Sequence, residues 1–278
     1  MLTYLVFLII LDIMIPNQDL LNQDLLNQDL ILIEALLCLL EENRKAYETL
    51  FVDGRKQIKS DWGRVKRMDI YEYGNEQASV VLIEMVGEHN LPGIEQEIME
   101  IRRLVDMDFR FIAVKVNNWN QDLSPWNAEA VFGTEEFGNG ARATLDEVLK
   151  LCTDTSKYYC IGGYSMAGLF ALWTAMQTNR FDGIAAASPS IWFPGFLEYM
   201  KRQKVQSDCI YLSLGDKEEK TRNAVMAQVG NCIRQAYAWL DEEGIQCTLE
   251  WNQGGHFKEP DIRMARAFAW VMKNLTRK

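Results

Sequence analysis

Positive charge is in short supply in this chain: 29 Lys and Arg stand against 39 Asp and Glu, for a formal net charge of -10. Its basic residues never cluster beyond pairs such as Arg102-Arg103 and Lys201-Arg202. With no net positive field to attract a phosphate backbone, nucleic acid is excluded as a partner class. Cysteine pairing is also lacking. Cys38, Cys152, Cys160, Cys209, Cys232 and Cys247 are scattered with no CxxC pair, and Cys160, Cys209 and Cys247 interrupt strand-like runs. They read as free, mostly buried thiols of a reducing, cytoplasmic compartment, with no metal site and no disulfide framework. Histidine is scarcer still, with His89 and His256 alone in the chain, so any chemistry that needs an imidazole has two candidates.

A membrane-length apolar run is missing too. Residues 1–15 (MLTYLVFLIILDIMI) are apolar but contain Asp12, follow no cationic residue and precede no small-residue cleavage site. They fall short of the roughly 20 residues that cross a bilayer. NQDLL-NQDLL-NQDLI at 17–31 follows. Successive Leu pairs of such a pentapeptide repeat rotate by about 140° on a helix and form no single apolar stripe. The first 31 residues therefore read as an appendage, disordered or helical, in preference to a membrane or partner anchor or a signal sequence. Residues 32–278 read as one domain, with 48% hydrophobic content, 24% charged residues and no long linker.

Within that domain a helix is expected at 32–51, ending at Asp53-Gly54, and after it short β-branched or aromatic runs alternate with helical stretches. Strands are expected at 67–73, 79–86, 109–116, 157–162, 183–188, 209–214 and 247–252. Helices are expected at 94–105, 142–153, 166–179, 221–241 and 260–276. Strands apolar on both faces and separated by helices predict a mostly parallel central sheet flanked by helices on both faces. One connection, 117–143, is far above the usual loop length. Such insertions sit at the C-terminal edge of a parallel sheet, where ligands bind. It carries Trp119, Trp126, Phe132 and Phe137, which suit either an apolar wall or lid for a site or a satellite cluster packed on the domain.

The strongest chemical signal is IGGYSMAGL at 161–169. Gly163-Tyr164-Ser165-Met166-Ala167-Gly168 puts small residues two before, two after and three after a serine, between a strand and a helix. A nucleophile elbow needs that pattern, because bulky neighbours of the strained serine would collide with the strand and helix. A serine hydroxyl needs a base. His256, in NQGGHF after the last strand, has the chain position of that base in the order serine, acid, histidine. His89 precedes the serine, in the loop Gly87-Glu88-His89-Asn90. This loop is expected to supply the second oxyanion-hole donor from Gly87 or Glu88, with Met166 supplying the first; His89 is either a plain loop residue or a substrate contact. The acid should emerge between Ser165 and His256, and YLSLGDKEE offers Glu218, with Asp216 and Glu219 as alternatives. Spacing favours Glu218, although acids before a helix also serve as N-terminal helix charge.

The stretch GGYSMAGLFALW, the segment AAASPSIWFPGF at 185–196, YLSLGDKE and GGHF together resemble the esterase family that includes enterobactin-type siderophore esterases, feruloyl esterases and S-formylglutathione hydrolases. The likeness runs from about residue 57 to the C-terminus, with Ala167 in place of the usual glycine and Val86-Gly87 without a His-Gly pair. It implies the α/β-hydrolase fold, ester hydrolysis through an acyl-enzyme on a serine triad without metal or organic cofactor, and Trp192 as a pocket wall beside the active site. Tyr164, Trp119, Trp126 and His89 complete the candidate pocket. The expected substrate is a small neutral or aromatic carboxylic ester, since the acidic balance disfavours a polyanion. An acyltransferase with the same triad and a silent binding protein on the same fold remain as alternatives. Membrane contact through the N-terminus stays open without being favoured, and the oligomeric state is not legible.

Overall fold

The computed structural model describes residues 56–58 and 68–276. The appendage and repeat at 1–31 and the helix expected at 32–51 lie outside the described residues. Within them the strands are β1 Lys56–Ile58, β2 Asp69–Gly74, β3 Val80–Val86, β4 Phe109–Lys115, β5 Tyr158–Tyr164, β6 Gly183–Ala187, β7 Cys209–Gly215 and β8 Gln246–Asn252. They form one sheet in the order β1-β2-β4-β3-β5-β6-β7-β8. β1 pairs antiparallel with β2 and β2 antiparallel with β4, while every pairing from β4 to β8 is parallel. The seven expected strands are β2 to β8. β1, three residues long, carries no periodic pattern that would mark it.

The inner parallel strands β3, β5, β6 and β7 are buried because they are apolar on both faces, whereas β8 at the edge is largely part-exposed. All of β3 is buried, and its side chains alternate: Val81, Ile83 and Met85 enter one core, Val80, Leu82 and Val86 the other. Helices α1 (Ile94–Leu104) and α7 (Pro260–Lys273) cover the second core with Ile94, Ile98, Ile101, Met264 and Phe268. Helices α3 (Ala141–Leu149), α4 (Met166–Thr174) and α6 (Val229–Glu242) cover the first, together with the short α5 (Phe196–Met200). Every residue of α4 is buried, as expected for a helix that is apolar all round.

Several helices are shorter than the periodicity predicts. α4 stops at Thr174 because the Met176 and Gln177 N–H groups turn back to Trp173 and Thr174, three residues earlier. The helix expected from 221 starts only at Val229. Ahead of it Asn223 accepts the N–H groups of Val225 and Met226 on its side-chain oxygen, holding a turn there instead.

The long connection after β4 is packed. It opens with the single turn α2 (Trp119–Asp122), and Ala128 and Phe137 form an isolated antiparallel bridge. Trp126 donates its indole N–H to the Pro194 carbonyl at 3.0 Å, and its ring meets Phe193, Phe196 and Tyr199. Phe137 meets Trp192 and Phe193, and Phe132, 44% exposed, forms the solvent edge. Among the described residues no helix is long and apolar enough to cross a membrane. Among the described residues no cysteine is in a disulfide, and Cys152, Cys160 and Cys209 are buried.

Candidate active site

The C-terminal ends of β3, β5, β6 and β7 bring together residues far apart in the chain. Ser165 lies between β5 and α4 with φ 61° and ψ -119°, a conformation that costs a non-glycine residue of order 1–3 kcal/mol and that the surroundings must impose. The surroundings are tight. A Cβ on Gly163 would collide with Ala167 and sit 2.7 Å from its carbonyl carbon, and one on Gly168 would lie 2.9 Å from the Gly163 carbonyl oxygen. The elbow is locked from both sides: Ser165 N–H donates to the Ala187 carbonyl (3.2 Å), and its carbonyl accepts from Ser190 N–H (3.0 Å). The Ser165 hydroxyl lies 3.2 Å from the Ser190 hydroxyl, and no hydrogen bond among the described residues joins it to His256.

His256 reaches the same edge on the loop after β8. Its Nδ1 is 2.7 Å from Glu218 Oε2, its ring lies 5.1 Å from that of Tyr164 between centroids, and its carbonyl accepts the Tyr164 hydroxyl at 2.6 Å. The other oxygen of Glu218 accepts the Gly215 N–H and the Ser188 hydroxyl, each at 2.7 Å, and Arg263 Nη1 at 2.9 Å. Burial pushes the Glu218 carboxyl up, but the bond and charge of His256, with Ser188 and Gly215, outweigh it and hold the group below its ordinary value. Burial first, and then the charge of Glu218, push the Tyr164 phenol up to about 12, so it stays protonated.

The three acids singled out in the sequence take different places. Glu218 meets the imidazole. Asp216 accepts the Gly254 N–H at 2.7 Å and braces the loop that carries His256. Glu219 pairs with Arg234 at the surface, 3.0 Å away.

At the end of β3, the Gly87 N–H donates to Asn90 Oδ1 at 2.9 Å. This engagement leaves the Glu88 N–H as the remaining candidate donor of the turn. The Glu88 carboxylate pairs with Lys115. His89 lies over Gly87 and packs edge-on against Trp119, 5.8 Å between centroids. These groups with Lys115, Val116 and Asn117 line a cavity of about 280 Å³ whose lining includes neither Ser165 nor His256. Of the other pocket candidates, Tyr164 is buried with its hydroxyl engaged, Trp126 is held in the aromatic cluster, and Trp192 is packed between Phe132 and Phe137.

Sequence reasoning missed Ser188, Ser190, Gly215 and Arg263. Ser188 and Ser190 flank Pro189 in the Ser-Pro-Ser segment already singled out. Gly215 allows the close approach of the acid: a Cβ there would lie 2.8 Å from Glu218 Oε1 and 3.1 Å from Arg263 Nη1. Arg263 sits in a helix pattern where a long cation normally marks the solvent face, and nothing in its spacing announces burial.

Comparison of the sequence with family models and with curated proteins gives no match. Comparison of the fold with solved structures gives many. The siderophore hydrolase EstA from Aspergillus nidulans is similar at a TM-score of 0.61 and 18% identity over 80% of this chain and 94% of that one. An IroE-like serine hydrolase from Shewanella oneidensis is similar at a TM-score of 0.65 and 14% identity over 81% of each chain. A ferulic acid esterase is similar at 0.55 and 11% identity over 80% of this chain and 99% of that one. Likeness at such identities speaks for architecture, not for substrate, and the chain has the α/β-hydrolase fold that these enzymes share.

Proposed function

We propose that the chain is a serine esterase that hydrolyses a small neutral or aromatic carboxylic ester through an acyl-enzyme. One observation carries this reading: a serine held at positive φ on a strand-to-helix turn shares a sheet edge with an imidazole that is hydrogen-bonded through Nδ1 to a buried carboxylate. With Nδ1–H donated to Glu218, the Nε2 lone pair of His256 is free to accept a proton. In the reacting complex the Ser165 hydroxyl turns from Ser190 to that nitrogen; hydrogen bonds of this kind are often unformed before substrate binds.

Ser165 then attacks the ester carbonyl, and the imidazolium, stabilised by Glu218, returns its proton to the departing alcohol. Water repeats the sequence on the acyl-enzyme. The oxyanion is held by the N–H of Met166, the first residue of α4 and so without an intrahelical acceptor, together with that of Glu88. Each such donor is worth roughly 3–4 kcal/mol in the transition state. The esterases and serine hydrolases that share the fold support the same chemistry by analogy.

The test is labelling by a fluorophosphonate probe and hydrolysis of short-chain p-nitrophenyl esters, each compared between wild type and Ser165→Ala. Wild type is expected to label and to turn over, and the variant to do neither. A wild-type protein that neither labels nor hydrolyses any ester in a panel graded by chain length and aromaticity would remove the reading.

A further inference from the structure

Arg263 is the buried cation for which the proposed reaction has so far had no use. Its side chain, in the first turn of α7, is 3% exposed, and burying a guanidinium is costly unless its donors are met. Here they are met by the candidate machinery. Nη1 donates to Glu218 Oε1 (2.9 Å), the Tyr164 hydroxyl (3.0 Å) and the Ser188 hydroxyl (3.2 Å), and Nη2 to the carbonyls of Gly255 (3.0 Å) and Gln253 (3.4 Å). Tyr164 adjoins Ser165, Gly255 adjoins His256, and Glu218 holds the imidazole, so one planar fork touches the immediate surroundings of all three groups.

Backbone strain gathers at the same point. The non-glycine residues with positive φ among those described are Ser165, Ser188 and Glu259. Ser188 gives its hydroxyl to this network, and the Glu259 carbonyl accepts the Arg263 N–H at 3.1 Å. Strain of this kind persists only where surrounding contacts over-determine it, and at Ser188 the Arg263 guanidinium supplies one of those contacts.

We propose that Arg263 is a positioning residue for the ester hydrolysis: it fixes the His256 loop and Glu218 as one unit and takes Oε1, leaving Oε2 alone to face the imidazole. The inference rests on the esterase reading and deepens it. A carboxylate shared with a guanidinium stabilises an imidazolium less than an unshared one. Removing the guanidinium charge should therefore move the acid-side limb of the pH–rate profile to higher pH. The other ionisable groups beside these two side chains are Tyr164 from β5 and, on the loop after His256, Lys258, exposed and bonded to Gln253; the Asp261 charge of α7 acts on Glu97 instead.

The experiment compares wild type, Arg263→Lys, Arg263→Met and Ser165→Ala by kcat and KM across pH on a neutral p-nitrophenyl ester. It adds the downfield proton resonance of the His256 Nδ1–H bond, which needs no substrate. Arg263→Lys, which keeps charge but loses the fork, should lose about 10-fold in kcat with KM within about twofold and the acid-side midpoint in place. Arg263→Met should lose about 100-fold in kcat and shift that midpoint up by roughly half a unit to one unit. Both variants should lose or displace the downfield resonance, which Ser165→Ala should keep.

If Arg263→Met does not fold, the kcat loss at constant KM and the resonance in a folded Arg263→Lys decide alone. Variants that melt earlier while kcat, midpoint and resonance stay at wild-type values would overturn the proposal and leave Arg263 a brace of the fold. An inactive wild type would strike the esterase reading, and the resonance would still decide the role of Arg263.

Discussion

At the scale of single residues, three neighbouring carboxylates offer nearly the same chemistry in sequence and take three different environments in space. The imidazole can be held in one tautomer only by a group that reaches Nδ1, and the oxygen 2.7 Å from it belongs to Glu218. Replacing that oxygen by an amide removes the charge that stabilises the imidazolium and allows the wrong tautomer. Glu218→Gln is thus expected to lower kcat/KM by about 10³–10⁴-fold. The Asp216 carboxylate accepts the Gly254 N–H of the loop, so Asp216→Asn should act through a slackened loop, with a loss of about 10-fold. Glu219 makes a surface pair with Arg234, the two side chains 31% and 47% exposed, and Glu219→Gln should stay within about twofold of wild type, as surface pairs contribute little. Steady-state kinetics on one ester for the three variants checks the order; a Glu219 variant more damaged than the Glu218 variant would assign the acid differently. Spacing could favour Glu218 because the acid must clear the strand end, but it could not show that Gly215 N–H, Ser188 and Arg263 would saturate the other oxygen.

At the scale of elements, β3, α1 and α7 enclose a second carboxylate pair that no step of the proposed chemistry uses. Glu84 on β3 and Glu97 on α1 are each 2% exposed and hydrogen-bonded to one another, with Glu84 Oε2 and Glu97 Oε1 lacking a hydrogen-bond partner among the described residues. Burial pushes the Glu84 carboxyl up to about 8 despite the bond from Glu97. Glu97 is pushed up by burial and then by the charge of Glu84, its hydrogen bond and Asp261. The folded protein therefore holds protons that the unfolded chain releases near the ordinary carboxylate value of 4.5. Stability from this pair is fully present below that value and is lost as pH rises toward about 8. Melting temperatures measured across this interval should fall in wild type and flatten in Glu84→Gln/Glu97→Gln, whose amides mimic the neutral form; an unchanged slope in the double variant would place the pH dependence elsewhere. In the sequence, Glu84 is a lone acid inside VVLIEMV, and nothing there indicates that its partner comes from the next helix. The strands themselves were legible, since parallel strands buried on both faces must be nearly continuous apolar runs, whereas helix ends such as Thr174 and Val229 depend on local turns and side-chain caps that periodicity does not record.

At the scale of the molecule, strand order was the part of the fold that the residues could not reveal. β4 lies between β2 and β3, so the chain reverses direction across the sheet before running on through β5 to β8. That exchange puts the end of β3 directly beside the end of β5 that leads into the elbow, with Met85 in register with Gly163. Hydropathy specifies which faces are buried but not which neighbours bury them, and the convergence of Ser165, Glu218, His256 and Arg263 on one edge is a product of that order. The whole molecule carries a net charge of -10; near the candidate site Lys115 pairs with Glu88 and Asp69 and Arg263 with Glu218, while Lys258, exposed beyond His256, bonds to the neutral Gln253. An anionic ester therefore approaches against the summed field, and salt should relieve the repulsion. Raising ionic strength from about 0.01 M to about 0.15 M shortens the screening length from roughly 30 Å to 8 Å. Across that change kcat/KM for an ester with a carboxylate on its acyl chain should rise several-fold, while that of its neutral methyl-capped counterpart stays level. A fall for the anionic ester would show that a local positive patch, not the net charge, governs approach, and would return polyanionic esters to the field of substrates.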